Sequence, residues 1–288
     1  MNSGPTLELG RLRVTPLRDH DFRLDGGAMF GVVPRALWQK LEPADPADHT
    51  IPLATRPLLI EGAECGPIVV EPGIGGRWDA KSKRIYRIEE KPTIAESLAE
   101  RGLGPDDIRV VVLTHLHWDH AGAATVDDGH GRATPQFRRA RHVVPRVELE
   151  VCLSGDSLRR ASYRKEDATA LLDAALLDPF DGAERPVAPG VTVHSVGGHS
   201  DGVCVVTVDG SGQRACFWSD VVPTRNHVHP LYLMAYDLNA AKSYEVRKPL
   251  IERAESERWI NALYHDPLHA WVTFARDGEK WRAEPVQM

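Results

Sequence analysis

Cysteine is scarce in this chain: four residues in 288, at positions 65, 152, 204 and 216, and no two stand close enough to form a zinc ribbon or a redox pair. Free thiols in a cytoplasmic protein are the expectation. Long hydrophobic runs are missing too, since no apolar window approaches the roughly 20 residues that a membrane span needs. The first ten residues lack a basic stretch followed by an apolar one, so no export signal is expected there. Excess positive charge is also absent: the formal net charge is −6, against the basic stripe usual in nucleic-acid binders. The run Arg138-Arg139-Ala140-Arg141 reads as a solvated face. Neither nucleic acid nor a membrane is therefore an expected partner. No linker or low-complexity stretch divides the chain, so residues 1–288 are expected to form a single α/β domain.

What the chain does have is a dense group of polar donors behind an apolar run. Ile108 to Thr114 is short and β-branched, as expected of a buried strand. Directly after it come His115, His117, Asp119 and His120. Four such side chains in six residues at a strand end place a rigid cluster in a crevice. His115 and His117, two apart, share a side if the strand geometry persists. Asp119 and His120 curl toward a second point, so the spacing suggests two metal ions. Crowded imidazoles and a carboxylate at a strand end are costly without a cation.

Along the chain, residues 6–25 alternate as an antiparallel opening. A Gly-rich segment follows that carries Met29 and Phe30, read either as a substrate wall or as core plugs; with the connector after it, residues of about 25–50 form a lid-like segment. Strands are expected at 56–61 and 67–71, the second ending in Glu71, a carboxylate suited to support a metal-bound imidazole from behind. Residues 94–103 read as a helix leading to the metal-bearing strand, which implies a right-handed parallel crossover. His142 reads as structural. Helical spacing over 157–177 reads as part of an inserted decoration spanning about 145–180. The strand from Val191 ends at Gly197-Gly198 and sets His199 at its tip. Asp220 ends a later strand, a helix is expected at 239–254, and His265 closes the buried run from Trp259.

The ordered set His115-x-His117-x-Asp119-His120, His199, Asp220 and His265 resembles the metallo-β-lactamase superfamily. The resemblance spans about Leu58 to Phe274. It implies a four-layer αβ/βα sandwich, two facing mixed sheets flanked by helices, with the metals at one edge. It further implies that His115, His117 and His199 hold one divalent ion, that Asp119, His120 and His265 hold the other, and that Asp220 bridges both. Zinc suits that donor set, with iron or manganese as substitutes.

Within the superfamily, the N-terminal segment and the spacing from Asp220 to His265 look most like the branch of N-acyl homoserine lactone lactonases and organophosphate hydrolases. Where those lactonases carry a Tyr three residues after the bridging Asp, this chain has Pro223; Tyr232 or Tyr236 are the candidate replacements. Glu71 stands where the branch has Asp. The implied activity is metal-assisted opening of a lactone or ester in a small molecule. Two cations about 3.5–4 Å apart bring a bridging water from a pKa of 15.7 toward ~7, with Asp119 orienting the nucleophile and Met29, Phe30, Trp118 and Tyr236 around the acyl part. The alternatives are phosphotriester or phosphodiester cleavage at the same site, and a metal-retaining sensor without turnover. A homodimer is compatible with all three.

Overall fold

The computed structural model describes residues 4–287. Strict alternation along the strands builds two seven-stranded sheets face to face. The first runs, in both spatial and chain order, through Leu7–Leu9, Leu12–Pro16, Leu58–Glu61, Ile68–Val70, Val110–Val112, Arg141–Pro145 and Leu177–Phe180. The second runs through Glu184–Ala188, Val191–Ser195, Cys204–Gly210, Gln213–Phe217, Ile260–Ala262, Val272–Asp277 and Lys280–Pro285. Both sheets are mixed: the first is parallel from Ile68–Val70 through Leu177–Phe180, and the second only at Gln213–Phe217 against Ile260–Ala262.

Because successive side chains point to opposite faces, Ile68, Val70, Val110, Val112 and Val143 enter the core between the sheets, where they meet Val193, Val206, Phe217 and Ala262. Their neighbours Val69, Val111 and Val144 face outward onto the helices Ile94–Ala99, Arg146–Ser154 and Lys165–Asp173. Val205, Cys216, Val272 and Phe274 do the same under the long helix Ala240–Ser256. The expected four layers are thus present. Thr93 starts the helix at 94 with a reciprocal capping box to Glu96, which fixes where the crossover begins. No helix among the described residues is long and apolar enough to cross a membrane.

One expectation needs correction. The helical reading of 157–177 is displaced: helices occupy 146–154 and 165–173, a turn region lies between them, and Leu177–Phe180 is a strand pairing in parallel with Arg141–Pro145. The segment is the crossover to the first sheet's edge strand. Its Leu and Ala spacing reads as helix wherever one face is apolar, which hid both the break and the strand. The segment 25–50 is pinned at its neck by pairing of Phe22–Asp25 with Thr50–Leu53. It carries the short helices Gly26–Phe30 and Arg35–Trp38. Gly31, at φ 55°, approaches the loop 233–235 so closely that a Cβ there would lie 2.4 Å from the Leu233 carbonyl oxygen, so the segment is docked.

His142 is fully buried in the first sheet with neither ring nitrogen hydrogen-bonded. Burial pushes its imidazole down to about 4. A folded pKa below the unfolded value near 6.5 means that the unfolded chain binds the extra proton first, so stability is full above pH 6.5 and is lost as pH falls toward 4. The loss attached to this one group approaches about 3 kcal/mol. His142→Leu is expected to recover about 2 kcal/mol of it relative to the parent protein at pH 4.5 compared with pH 7, read from denaturant midpoints at the two pH values. Parallel pH curves for the two proteins would refute this.

Candidate metal centre

The chain reaches the cluster by leaving the strand Val110–Val112 at its carboxyl end. His115 follows the strand, His117 sits at the N-terminal boundary of the single turn Trp118–Ala121, and that turn carries Asp119 and His120. From the second sheet come His199, after the positive-φ pair Gly197 and Gly198, Asp220 in the turn Ser219–Val221, and His265 just beyond Ile260–Ala262. All seven side chains are buried, and their donor atoms fall into two groups. In one, His115, His117, His199 and Asp220 bring ligand atoms within 4.8 Å of one another; in the other, Asp119, His120 and His265 do so.

Asp220 faces both groups. Its Oδ2 lies 3.1 Å from His199 Nε2, and its Oδ1 lies 3.1 Å from His265 Nε2 and 3.5 Å from His120 Nε2. His199 Nε2 is 3.1 Å from His117 Nδ1, and His265 Nε2 is 3.2 Å from His120 Nε2.

The backs of the rings decide which nitrogens carry protons. His265 Nδ1 donates to the Ala54 carbonyl at 2.9 Å, His120 Nδ1 to Glu71 Oε2 at 2.8 Å, and His199 Nδ1 to Asp237 Oδ1 at 3.1 Å. Each therefore turns an Nε2 lone pair inward when neutral. Lone pairs facing each other at such distances repel unless a proton or a metal ion lies between them. His115 Nε2 is buried with no hydrogen-bond partner, and Asp220 Oδ1 makes no aligned hydrogen bond despite its close imidazole neighbours. The donor set fits divalent metal binding better than it fits a hydrogen-bond network.

Charge is distributed to match. Burial, reinforced by the neighbouring imidazoles, pushes His115 and His117 well below the usual histidine range and keeps them neutral. For His120 burial acts in the same direction, but the carboxylates of Glu71, Asp220 and Asp119 together lift it well above that range. Burial would raise Asp220, yet His120, His265 and His199 hold it well below the usual carboxylate range. Asp119 is raised by burial, which outweighs His120 and His265.

Glu71 lies behind the cluster, fully buried, and accepts from Thr114 Oγ1, from Ser219 Oγ at 2.7 Å and from His120 Nδ1. With its oxygens so occupied it supports the ring of His120. Both Glu71 (φ 52°) and Ser219 (φ 47°) sit in the left-handed region, a conformation that costs on the order of 1–3 kcal/mol per residue and persists where a site demands it. Asp237, Ala54 and Tyr264 were not legible as part of this arrangement. Tyr264 stacks on His120 with centroids 4.4 Å apart and donates to the Asp119 carbonyl at 2.7 Å.

The cluster floors a cleft of about 130 Å³ whose sides are Leu24, Met29, Tyr86, Trp118, Met234 and Tyr236, together with Ala161 and Ser162. Met29, Trp118 and Tyr236 thus reach it. Phe30 and Tyr232 do not: Phe30 is stacked between Trp38 and His227, at 5.4 and 5.0 Å, and Tyr232 lies behind it against His229. A ring in a Gly-rich segment gives no sign of which face it will bury. Tyr86 was missed because its short helix, Ala80–Tyr86, has no apolar period strong enough to single it out.

Residues 52–265 match the metallo-β-lactamase superfamily profile. The chain belongs to this superfamily. A solved structure described as a probable metal-dependent hydrolase from Staphylococcus aureus superposes with a TM-score of 0.88 at 29% identity, covering 98% of this chain and 99% of that one. AidC, a dizinc quorum-quenching lactonase solved with N-hexnoyl-L-homoserine, superposes at 0.79 with 18% identity over 99% of this chain and 98% of its own, a likeness of fold. The N-acyl homoserine lactonase AiiB of Agrobacterium fabrum is 31% identical over 150 residues, 47% of this chain and 49% of that protein. The chain spans about half the length of the curated relatives it matches.

Proposed function

We propose that this superfamily member is a metal-dependent hydrolase that opens a lactone or ester bond in a small, neutral molecule. The observation that carries the proposal is the pair of donor groups joined by Asp220 at the floor of an apolar cleft. His115, His117 and His199 would hold one divalent ion and Asp119, His120 and His265 the other, with Asp220 shared and zinc the best match to the donors. Bound there, such ions supply a water-derived nucleophile at neutral pH and Lewis acidity toward a carbonyl oxygen.

The protein's own part is positional. Asp119, with its carboxyl raised by burial, orients the attacking water and takes its proton. Trp118, Met29 and Met234 exclude bulk water from the acyl portion. Tyr86 and Tyr236 face the cleft with hydroxyls that bond to no other described residue; burial pushes Tyr236 up to about 12 and also raises Tyr86, so both remain hydrogen-bond donors for a substrate oxygen. They take the place for which Pro223 has no side-chain donor. In this proposal residues 1–288 work as one unit in the cytoplasm, and the segment of about 25–50 forms one wall of the cleft.

Among the described residues no Lys or Arg lines the cleft, so apart from the ions no cation there would pair with an anionic substrate, which favours a neutral one. A phosphotriester meets that condition and is the second reading; a phosphodiester does not. With metal-loaded protein, turnover of an aliphatic lactone is expected to exceed that of an aryl phosphotriester, and an aryl phosphodiester should stay intact. Hydrolysis of the phosphotriester with lactones and esters untouched would replace the first reading by the second.

A further inference from the structure

Glu148, in the helix Arg146–Ser154, is fully buried, and among the described residues no basic side chain pairs with it. A carboxylate in that position is costly unless hydrogen-bond donors surround it. Three do, from three separate segments. The Gly202 amide donates to Oε1 at 2.7 Å, while the Leu116 amide, at 3.3 Å, and the Tyr163 hydroxyl, at 3.0 Å, donate to Oε2.

Two of the donors belong to segments that carry an imidazole, and the third touches one. Leu116 stands between His115 and His117. Gly202 follows His199 by three residues, and a Cβ on it would lie 3.1 Å from Glu148 Cγ and 2.6 Å from Val147 Cγ1, so glycine is what allows the loop this close. Tyr163 forms a backbone bridge with His117 and presents its ring edge-on to that imidazole, centroids 4.9 Å apart. The other donor group does not touch Glu148: Glu71 backs His120, the Ala54 carbonyl backs His265 and Tyr264 holds the backbone of Asp119, while Glu71 also reaches His115 through Thr114.

We infer that Glu148 is a positioning residue for one metal position only, the one formed by His115, His117 and His199. The inference takes the two-metal reading above as its basis. In Glu148→Gln the amide nitrogen of the new side chain meets an N–H or O–H donor, so at least one of the three tethers is lost. The test strips the full-length protein of metal, confirms by thermal unfolding that the metal-free variant is folded, and titrates Co²⁺ by calorimetry and absorption.

The parent protein is expected to take two equivalents. Glu148→Gln should keep one at parental affinity and weaken the other by about 10–100-fold, the usual range when a ligand's supporting partner is changed. Tyr163→Phe, which keeps the ring and removes one tether, should weaken the same equivalent by less. Two equivalents at parental affinity in both variants, or equal weakening of both equivalents, would overturn the assignment. A parent that binds fewer than two equivalents would instead remove the two-metal reading on which it stands.

Discussion

Asp220→Ala is expected to lower kcat/KM by about 10³-fold or more, roughly 4 kcal/mol of transition-state stabilisation at 1.36 kcal/mol per decade, while the protein remains folded. The Asp220 carboxylate faces both donor groups, with one oxygen 3.1 Å from His199 and the other 3.1 Å from His265. Its loss removes a ligand from each group at once and takes away the negative charge that three imidazoles converge on. Removing a wall residue such as Met29 disturbs only substrate contact, so its effect should fall mainly on KM. Lactone turnover by the alanine variant at the parental rate, with metal content measured alongside, would show that the cluster is not where the chemistry occurs.

Metal removal should have the second large effect, on stability as well as activity. An ion that binds only the folded chain contributes about 4 kcal/mol when present at a thousand times its dissociation constant. At about 1.7 °C per kcal/mol for a chain of 288 residues, Tm should fall by roughly 7 °C on chelation. It should recover when Zn²⁺ is restored. The pH dependence has a definite sign. In the metal-free protein the carboxylates of Glu71, Asp220 and Asp119, acting against burial, hold His120 well above the usual range and so protonated at neutral pH. A cation must displace that proton, so apparent affinity should rise with pH up to the raised pKa, approaching tenfold per unit if one proton is released. Affinity independent of pH between 6 and 8 would show that His120 gives up no proton to the ion.

The ligand cluster was legible in the sequence because its information is local. His115, His117, Asp119 and His120 sit within six residues of a β-branched strand, and the Gly-Gly before His199 marks a strand end wherever it falls. Alternation marked individual strands for the same reason, while the two facing sheets were implied by the family resemblance. Glu71 could be picked out by its place at a strand end, although its partners Thr114 and Ser219 could not. What stayed hidden depends on contacts between distant segments. Asp237 is an ordinary loop carboxylate until the fold brings it against His199. Glu148 looks like one more acidic residue of a helical turn. Phe30 was open between a substrate wall and a core plug, and Tyr232 was a candidate for the donor missing at Pro223; stacking on Trp38, His227 and His229 turns both away from the cleft.

The chain's division at its middle carries a thermodynamic consequence. Residues through Phe180 build one sheet and residues from Glu184 build the other, joined across an exposed turn. Each donor group draws on both halves: His115 and His117 meet His199, and Asp119 and His120 meet His265. An ion seated in either position works as a rivet through the seam, so ion affinity and the adhesion of one half to the other are a single linked quantity. Whatever pries the halves apart releases the ions, and whatever tightens their seating draws the halves together.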